Sequence, residues 1–245
     1  MQLSIIIPAY RAEKLLKKNI PRIVEKMDLI SKDYEILIIS GRGPDRTVEV
    51  AGEIEKRNKR ARLVYRDARL GKGKALSIGF SEVKGNIVVY TDADLEIDPK
   101  YILNIIEMIK EGFDIAIVSK QHYDSKFQSP LVRKILGKGY NGLVKIILGS
   151  RLMGHQGGLK GFKKEVIKKI LPYVKDDWWF WDTEVLMIAQ WLGYSIHETP
   201  ITGSYGFGDS TVILWKECFR MFKSILELKA RRMGELSKLK PAKKS

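Results

Sequence analysis

The feature that most constrains the fold is the alternation of short apolar runs with segments of helical periodicity through the first half of the chain. The apolar runs are rich in β-branched residues, and several are apolar on both faces, which is typical of buried parallel strands. They predict strands at Leu3–Ile7, Tyr34–Ile39, Arg62–Tyr65, Asn86–Thr91 and Asp114–Ser119. Apolar residues three and four positions apart predict helices between them, at Ala12–Met27, Thr47–Asn58, Lys74–Val83 and Pro99–Lys110. The chain is therefore expected to form an α/β fold with a doubly wound, mostly parallel sheet, whose ligands bind beyond the carboxyl ends of the strands.

The pattern changes after Lys120. Residues 120–130 are polar, and a helical apolar face with interspersed basic residues then spans 131–149. The rest of the sequence predicts a glycine-rich stretch at Gly154–Gly161, a helix from the tryptophans at 178–181 to about Leu192, a strand at 194–201, a loop at Gly203–Asp209 and a last helix from Val212 to Arg232. The expected organisation is one large domain over residues 1–211, followed by an amphipathic helix and basic tail over residues 212–245.

The charge of the chain indicates an anionic partner. The 245 residues carry a formal net charge of +15, and 44% of them are hydrophobic, which is enough for a real core and excludes a disordered polymer. Cys218 is the only cysteine, so no disulfide can form within the chain and a reducing compartment is expected. The first residues lack the features of a secretory signal, and no apolar run reaches the roughly 18–20 residues that cross a bilayer. We therefore expect a cytoplasmic location.

The sharpest motif is a carboxylate cluster, Asp92, Asp94 and Glu96, directly after the apolar strand that ends near Thr91. Alternate side chains of an extended segment point to the same face, so these carboxylates are candidates to converge. A hard divalent cation with open positions for a diphosphate suits such a cluster. The competing interpretation is that Asp98 caps the next helix and the other acids are solvated loop residues.

A basic glycine-rich segment, Arg69–Ala75, lies between a predicted strand and a predicted helix. Glycines let the backbone approach a ligand closely, and cationic side chains at a helix N-terminus suit phosphate. The segment is not a Walker A loop, because Ala75 stands where a magnesium-binding hydroxyl is required. A basic turn that merely begins a helix is the alternative.

Taken in order, five segments resemble inverting glycosyltransferases of the GT-A fold, most closely the dolichyl- and polyprenyl-phosphate mannose and glucose synthases. The segments are SIIIPAY at Ser4–Tyr10, RLGKGKA at Arg69–Ala75, GNIVVYTDADL at Gly85–Leu95, HQGGLKGF at His155–Phe162 and WDTEVLMIAQWLG at Trp181–Gly193. Each is weak alone, but their order and spacing cover roughly residues 3–232. The resemblance implies a GT-A domain that transfers a hexose from a nucleotide-sugar, of the GDP-mannose or UDP-glucose type, to a polyprenyl phosphate.

The resemblance also implies roles for individual residues. It implies metal binding by Asp92, Asp94 and Glu96 with Mg²⁺ or Mn²⁺, and Asp94, Asp182 and Glu184 are the catalytic candidates. The donor-binding candidates are Pro8, Tyr10, Asp45, Arg69, Lys72, Lys74 and Asp92, and the candidates for the acceptor or its phosphate are Gln156 and Lys160. Three places depart from the family pattern and put the donor in doubt: Arg11-Ala12 after the first strand, Ser40-Gly41 after the second, and Gly154 before Gln156.

The chemistry expected of such a site depends on the acceptor. A cation at Asp92 and Asp94 would neutralise the leaving nucleoside diphosphate, and attack from the opposite face would invert the anomeric centre. A hydroxyl acceptor needs a general base, for which Asp182 and Glu184 are the candidates. A lipid phosphate needs none, because a phosphate monoester is already largely dianionic at pH 7.

Two basic amphipathic segments predict peripheral docking on an anionic membrane surface. One is the helix at 131–149, and the other is the segment 216–244, with ten Lys and Arg against three Glu. A same-fold enzyme with a soluble or saccharide acceptor is the first alternative. A nucleic-acid binder is the alternative of another class, but the scattered basic residues form no recognisable module, so no nucleic acid is expected. A nucleotidyltransferase is the third, and pyrophosphate release would distinguish it.

Overall fold

A computed structural model of the chain describes residues 2–204 and 214–239. Within them, the strands are β1 (Leu3–Ala9), β2 (Tyr34–Gly41), β3 (Ala61–Arg66), β4 (Ile87–Thr91), β5 (Ile115–Ser119), β6 (Lys126–Gln128), β7 (Leu159–Lys163), β8 (Ile196–Pro200) and β9 (Thr202–Ser204). The helices are α1 (Glu13–Asp28), α2 (Thr47–Arg57), α3 (Lys72–Glu82), α4 (Tyr101–Lys110), α5 (Leu131–Leu148), α6 (Lys164–Ile170), α7 (Trp181–Trp191) and α8 (Leu214–Met233). A single 3-10 turn, Leu171–Tyr173, follows α6. All the strands and helices predicted in the first half form within a few residues of their expected bounds.

Seven strands form one sheet in the order β3-β2-β1-β4-β7-β5-β8. The pairs β1–β2, β1–β4, β2–β3 and β5–β8 are parallel, so the predicted mostly parallel, doubly wound α/β sheet is confirmed. The sequence analysis did not identify β7, which runs antiparallel between β4 and β5. One glycine and two lysines interrupt its apolar pattern, and a side chain on Gly161 would come within 2.3 Å of Ile105 on α4, so that position cannot carry an apolar residue.

Each face of the sheet carries its own apolar layer. On one face, α1, α2 and α4 bury residues such as Ile20, Val50 and Ile105 against the sheet. On the other, α3, α6, α7 and α8 contribute Phe80 and Trp181 among others to a second cluster. Fully burying one such aliphatic or aromatic side chain is worth about 1.5–3 kcal/mol. The two layers hold the strands rigidly and so fix the loops at their carboxyl ends.

The C-terminal helix packs on the core. Ile225 and Leu228 of α8, with Leu236 after it, are buried in the second cluster, and α8 lies against α5. The predicted boundary between residues 211 and 212 lies outside the described residues, as do Val212, residues 205–209 of the predicted loop and the tail from residue 240. In the described part of the chain, no helix has the length and apolar character needed to cross a bilayer.

Candidate active site

The carboxylate motif lies in a tight turn at the carboxyl end of β4. The backbone amide of Asp92 donates to the carbonyl of Gly158 at 3.1 Å, and Asp94 accepts from the amide of Glu96 at 3.1 Å. Leu95, whose amide closes the turn on the carbonyl of Asp92, is buried and has a φ of +49°. From α1, the buried side chain of Asn19 donates to the carbonyl of Ala93 at 2.8 Å. Asn19 therefore fixes the peptide that joins the two aspartates, a role with no sequence motif to reveal it.

Two lysines and two aspartates form a charge cluster beneath this turn. Lys72, the first residue of α3, lies with its Nζ 2.9 Å from Oδ1 of Asp92 and 3.3 Å from Oδ2 of Asp182. Lys160 of β7 reaches the other oxygen of Asp182 at 2.7 Å and the carbonyl of Gly157 at 2.6 Å. The register of β4 against β7 sets Lys160 opposite Tyr90, whose hydroxyl donates to Asp182. Four charged side chains from four separate segments are thereby brought together.

In the charge cluster, burial favours the neutral form of each group, whereas ion pairing favours the charged form, and the balance sets the direction in which each pKa moves. Burial alone would favour the neutral carboxylic acid, yet Lys160 and Lys72 outweigh it and hold the pKa of Asp182 below its usual range. Burial likewise disfavours a charged Lys72, but Asp182 and Asp92 reverse the balance and raise its pKa. Asp92 is different: burial raises its pKa despite Lys72, and the neighbouring Asp94 charge adds to the rise. Asp182 is therefore an ionised, tightly held carboxylate.

The glycine-rich segment before α3 is shaped by packing against the loop that precedes α7. A side chain on Gly71 would come within 2.1 Å of the carbonyl of Asp177. The amides of Gly73 and Lys74 donate to the carbonyls of Trp178 and Asp177 at 3.1 and 3.0 Å. These donors at the start of the helix are thus not open to a phosphate. Lys72 points inward to the charge cluster, whereas the exposed Lys74 lies 3.6 Å from Asp177.

An aromatic and cationic rim stands at the carboxyl ends of β1 and β3. The Arg69 guanidinium lies 5.2 Å from the ring centre of Tyr10 and 5.8 Å from that of Trp178, and both separations are in the cation–π range. The Tyr10 ring is also close to Gly43. This rim can stack a planar heterocycle. Pro8, also predicted to bind the donor, is partly buried within β1 opposite Ile39.

Asp45 follows β2, and its carboxylate is bound by groups at the starts of α1 and α2. Its carboxylate accepts from the Thr47 hydroxyl at 2.8 Å and lies 3.4 Å from the amides of Glu13 and Thr47. It thus ties the first turn of α2 to the first turn of α1. The departure at Ser40-Gly41 has a local reason too, because a side chain on Gly41 would come within 2.1 Å of the carbonyl of Ala68.

Gln156 and Thr183 connect the site to α5. The amide group of Gln156 donates to the Thr183 hydroxyl at 3.1 Å, and that hydroxyl is 2.5 Å from the hydroxyl of Tyr140 on α5. The adjacent His155 is buried between Asn141, the next residue of α5, and Ser150. Burial, helped by Lys160, lowers the pKa of His155 to about 3, so its ring is neutral. Sequence reasoning missed this anchoring of the Gln156 segment by α5.

Glu184, the second catalytic candidate on α7, is directed away from the charge cluster. One of its oxygens accepts from the amides of Lys175 and Asp176 at 2.9 and 2.7 Å, and the other pairs with Arg231 of α8. The carboxylate therefore holds the loop before α7 to the C-terminal helix. The structure brings Asp182 together with Asp92 and Lys160, but not Glu184.

The carboxylates of the turn fit a divalent cation in part. Asp94 is exposed, and its charge raises the pKa of the nearby Asp92, a repulsion that a cation would relieve. Gly158 faces Asp92 so closely that a side chain there would come within 2.4 Å of its carboxylate, and the Lys72 ammonium lies 2.9 and 3.2 Å from the two oxygens of that carboxylate. Glu96 instead pairs with Lys120. Across residues 2–204 and 214–239, no three His, Cys, Asp or Glu side chains are placed to hold a metal. Two carboxylates remain, which is the set Mg²⁺ uses when substrate phosphates complete its shell.

A Rossmann-like sheet with an Asp-x-Asp turn at its carboxyl edge and a charged cluster beneath it defines a GT-A glycosyltransferase. Residues 4–171 match the model of "Glycosyl transferase family 2", and the chain belongs to that family. The predicted family, fold and class of enzyme are thereby confirmed.

Three similar proteins illustrate the relationship, and two of them have a lipid phosphate in their names. Glycosyltransferase AglD of Haloferax volcanii is 31% identical over 229 residues, which cover 92% of this chain and 36% of that protein. The dolichol-phosphate mannosyltransferase of Pyrococcus furiosus is 32% identical, over 69% of this chain and 48% of its own length. The undecaprenyl-phosphate 4-deoxy-4-formamido-L-arabinose transferase of Edwardsiella ictaluri is 28% identical, over 69% of this chain and 51% of its own length. The chain thus spans about a third to a half of these relatives.

Among solved structures, glucosyl-3-phosphoglycerate synthase from Mycobacterium tuberculosis superposes with a TM-score of 0.69 at 16% identity, covering 94% of this chain and 80% of that one. Crystals of that enzyme contain UDP, and in one case also Mn²⁺ and glucosyl-3-phosphoglycerate. At this identity the likeness establishes the fold alone.

Proposed function

We propose that this domain transfers a hexose, with inversion, from a nucleotide-sugar of the GDP-mannose or UDP-glucose type to a polyprenyl or dolichyl phosphate. The observation that carries the proposal is the state of the two acids on α7. The ionised carboxylate of Asp182 is ion-paired with Lys72 and Lys160. The carboxylate of Glu184 accepts hydrogen bonds from two backbone amides and pairs with Arg231. Neither group is therefore a good general base. A phosphate acceptor needs no base, because it is already ionised.

The lipid nature of the acceptor rests on the relatives. Two of the similar proteins carry dolichol phosphate or undecaprenyl phosphate in their names. The solved neighbour was crystallised with phosphoglyceric acid, a soluble phosphorylated compound, so a soluble acceptor of that class is the alternative to test. Both acceptor types present a phosphate group, and the partly exposed Gln156 is the candidate to receive it, because Lys160 is buried and held by Asp182 and the carbonyl of Gly157.

At the donor end, the Tyr10, Arg69 and Trp178 rim is suited to the nucleobase, and the Asp92–Asp94 turn to the diphosphate. A divalent cation, Mg²⁺ or Mn²⁺, bound by Asp92 and Asp94 would supply charge neutralisation at the leaving nucleoside diphosphate. Lys72 is within reach of the same diphosphate and adds a second positive charge. The Mn²⁺ in crystals of the fold neighbour supports this choice of cation.

Peripheral membrane docking is supported by the outer faces of α5 and α8, which pack side by side. On α5, the side chains of Leu131 and Ile146 are 71% and 82% exposed, and on α8 Phe219 is 74% exposed. Exposed lysines alternate with these apolar residues along both helices, at positions 134, 138, 145, 223 and 229. Each basic residue near an anionic leaflet contributes about 1 kcal/mol to binding. We propose that these helices dock on the cytoplasmic face of a membrane.

The experiment that tests the function is transfer of labelled mannose and glucose from their nucleotide donors to polyprenyl phosphate in mixed micelles, with and without EDTA. Chelator-sensitive label in the organic phase is the expected result. Transfer to a soluble acceptor such as phosphoglyceric acid, with no lipid product, would overturn the lipid assignment.

A further inference from the structure

The ammonium of Lys72 contacts Asp92, one of the two carboxylates that the proposed function assigns to the metal. Its Nζ lies 2.9 and 3.2 Å from the two oxygens of Asp92, which is the position of a counter-ion. At the same time it is 3.3 Å from Asp182. The ammonium therefore bridges two aspartates, only one of which belongs to the metal-binding turn.

The ammonium of Lys72 lies close to two aromatic rings and is nearly buried. It lies 5.3 Å from the ring centre of Tyr90 and 5.3 Å from that of Trp179, and the side chain is only 10% exposed. The ammonium is therefore nearly buried and has two carboxylate partners, so it can yield Asp92 to another cation while keeping Asp182.

We propose that Lys72 is a built-in counter-ion that blocks metal binding at Asp92 until the diphosphate of the donor arrives, so that metal and donor load together. This inference rests on the proposed function, since it concerns the same metal and diphosphate. With the site empty, a divalent cation must compete with a buried ammonium for Asp92. When the diphosphate is present, Lys72 gains an anionic partner at the mouth of the cluster and releases Asp92.

The arrangement has a thermodynamic consequence that does not depend on catalysis. Where two ligands each favour the same rearrangement, each raises the affinity for the other by the same factor, typically 5- to 150-fold. A diphosphate that bridges the metal gives some coupling by itself. Lys72 additionally lowers the affinity for the metal when no nucleotide is bound. Removing its ammonium should therefore raise the affinity for the metal alone.

The test measures Mn²⁺ binding by the electron paramagnetic resonance signal of the free ion, without nucleotide and with saturating UDP or GDP. In the Lys72→Met variant we expect Mn²⁺ alone to bind about tenfold more tightly than in the wild type. UDP or GDP should then increase the affinity for Mn²⁺ by a smaller factor. The Lys72→Gln variant, which keeps polar contacts but no charge, should behave likewise, and thermal unfolding identifies a variant that has not folded.

The matched control is Lys163→Met. Lys163 is also an ion-paired lysine, 3.2 Å from Asp114, but it lies at the far end of β7 from the site. This variant should bind Mn²⁺ as the wild type does. If both Lys72 variants fold and bind Mn²⁺ alone no more tightly than the wild type, the inference is overturned. Wild-type protein that fails to bind Mn²⁺ even with nucleotide would overturn the proposed metal as well, which separates the two failures.

Discussion

Replacing Asp182 with asparagine removes one negative charge from the buried cluster and leaves its shape nearly unchanged. The side chains of Asp182 and Lys160 are 1% and 0% exposed, and their 2.7 Å contact offsets part of the burial that lowers the pKa of Lys160. The same change deprives Lys72 of its second carboxylate. Breaking a buried pair by removing one partner costs about 3–5 kcal/mol, because the other charge stays buried without its counter-charge.

We therefore expect Asp182→Asn to lower the free energy of unfolding by about 3–5 kcal/mol at pH 7. For a domain of this size the midpoint of thermal unfolding moves by about 2–4 °C per kcal/mol, so a fall of at least about 6 °C is expected. Guanidinium unfolding followed by circular dichroism measures the change directly. The control is Asp177→Asn, which removes an exposed carboxylate 3.6 Å from Lys74 and should cost less than about 1 kcal/mol.

The pH dependence provides a second measurement. The pKa of Asp182 is lowered in the folded protein, so its ionisation stabilises the fold above the unfolded-state pKa of about 3.9. That contribution is lost as the pH falls from there through the folded-state pKa. Asparagine does not titrate, so the stability gap between wild type and variant should be full at pH 7 and narrow below about pH 4. A gap under about 1 kcal/mol at pH 7, or one independent of pH, would refute the ion-pair reasoning.

Three further predictions concern the metal turn and the membrane face. Asp94→Asn should abolish sugar transfer and the nucleotide-dependent binding of Mn²⁺, and unchanged turnover would contradict the metal proposal. Asn19→Leu removes the hydrogen bond to the carbonyl of Ala93, so the Kd of Mn²⁺ measured with UDP or GDP should rise by about 10- to 100-fold, as for other groups that orient ligands. Ile146→Glu should reduce co-sedimentation with anionic liposomes at low salt, whereas Leu29→Glu, at a similarly exposed position just after α1, should not. Equal losses in both would argue against α5 as the docking face.

How much of the molecule could be predicted depends on the range of the interactions involved. Strands β1, β2 and β4 were predictable because each is a short apolar run rich in β-branched residues, as buried strands are. Strand β7 was not, since Leu159–Lys163 has a glycine where α4 approaches and a lysine where the charge cluster forms. Its place in the sheet is fixed by neighbours that are distant in sequence.

The candidate site divides in the same way. The Asp-x-Asp turn was predictable from its position after a buried strand, and Tyr10, Arg69 and Lys72 from their segments. Which acid faces the cluster was not predictable, because Asp182 and Glu184 are two residues apart on one helix. Helical geometry turns successive side chains by about 100°, so residues two apart point to different sides of α7.

By itself, the sequence determined the alternating α/β order, the sheet edge where the chemistry lies and the family to which the chain belongs, because these depend on local periodicity and on motifs read in order. Only the tertiary structure decided that Lys72 rests on Asp92, that Asn19 holds the turn and that Glu184 pairs with Arg231 rather than with the site. These contacts join segments 20 to 74 residues apart. Pairings over such separations are selected by packing of the whole sheet and its helices, and no local pattern encodes them.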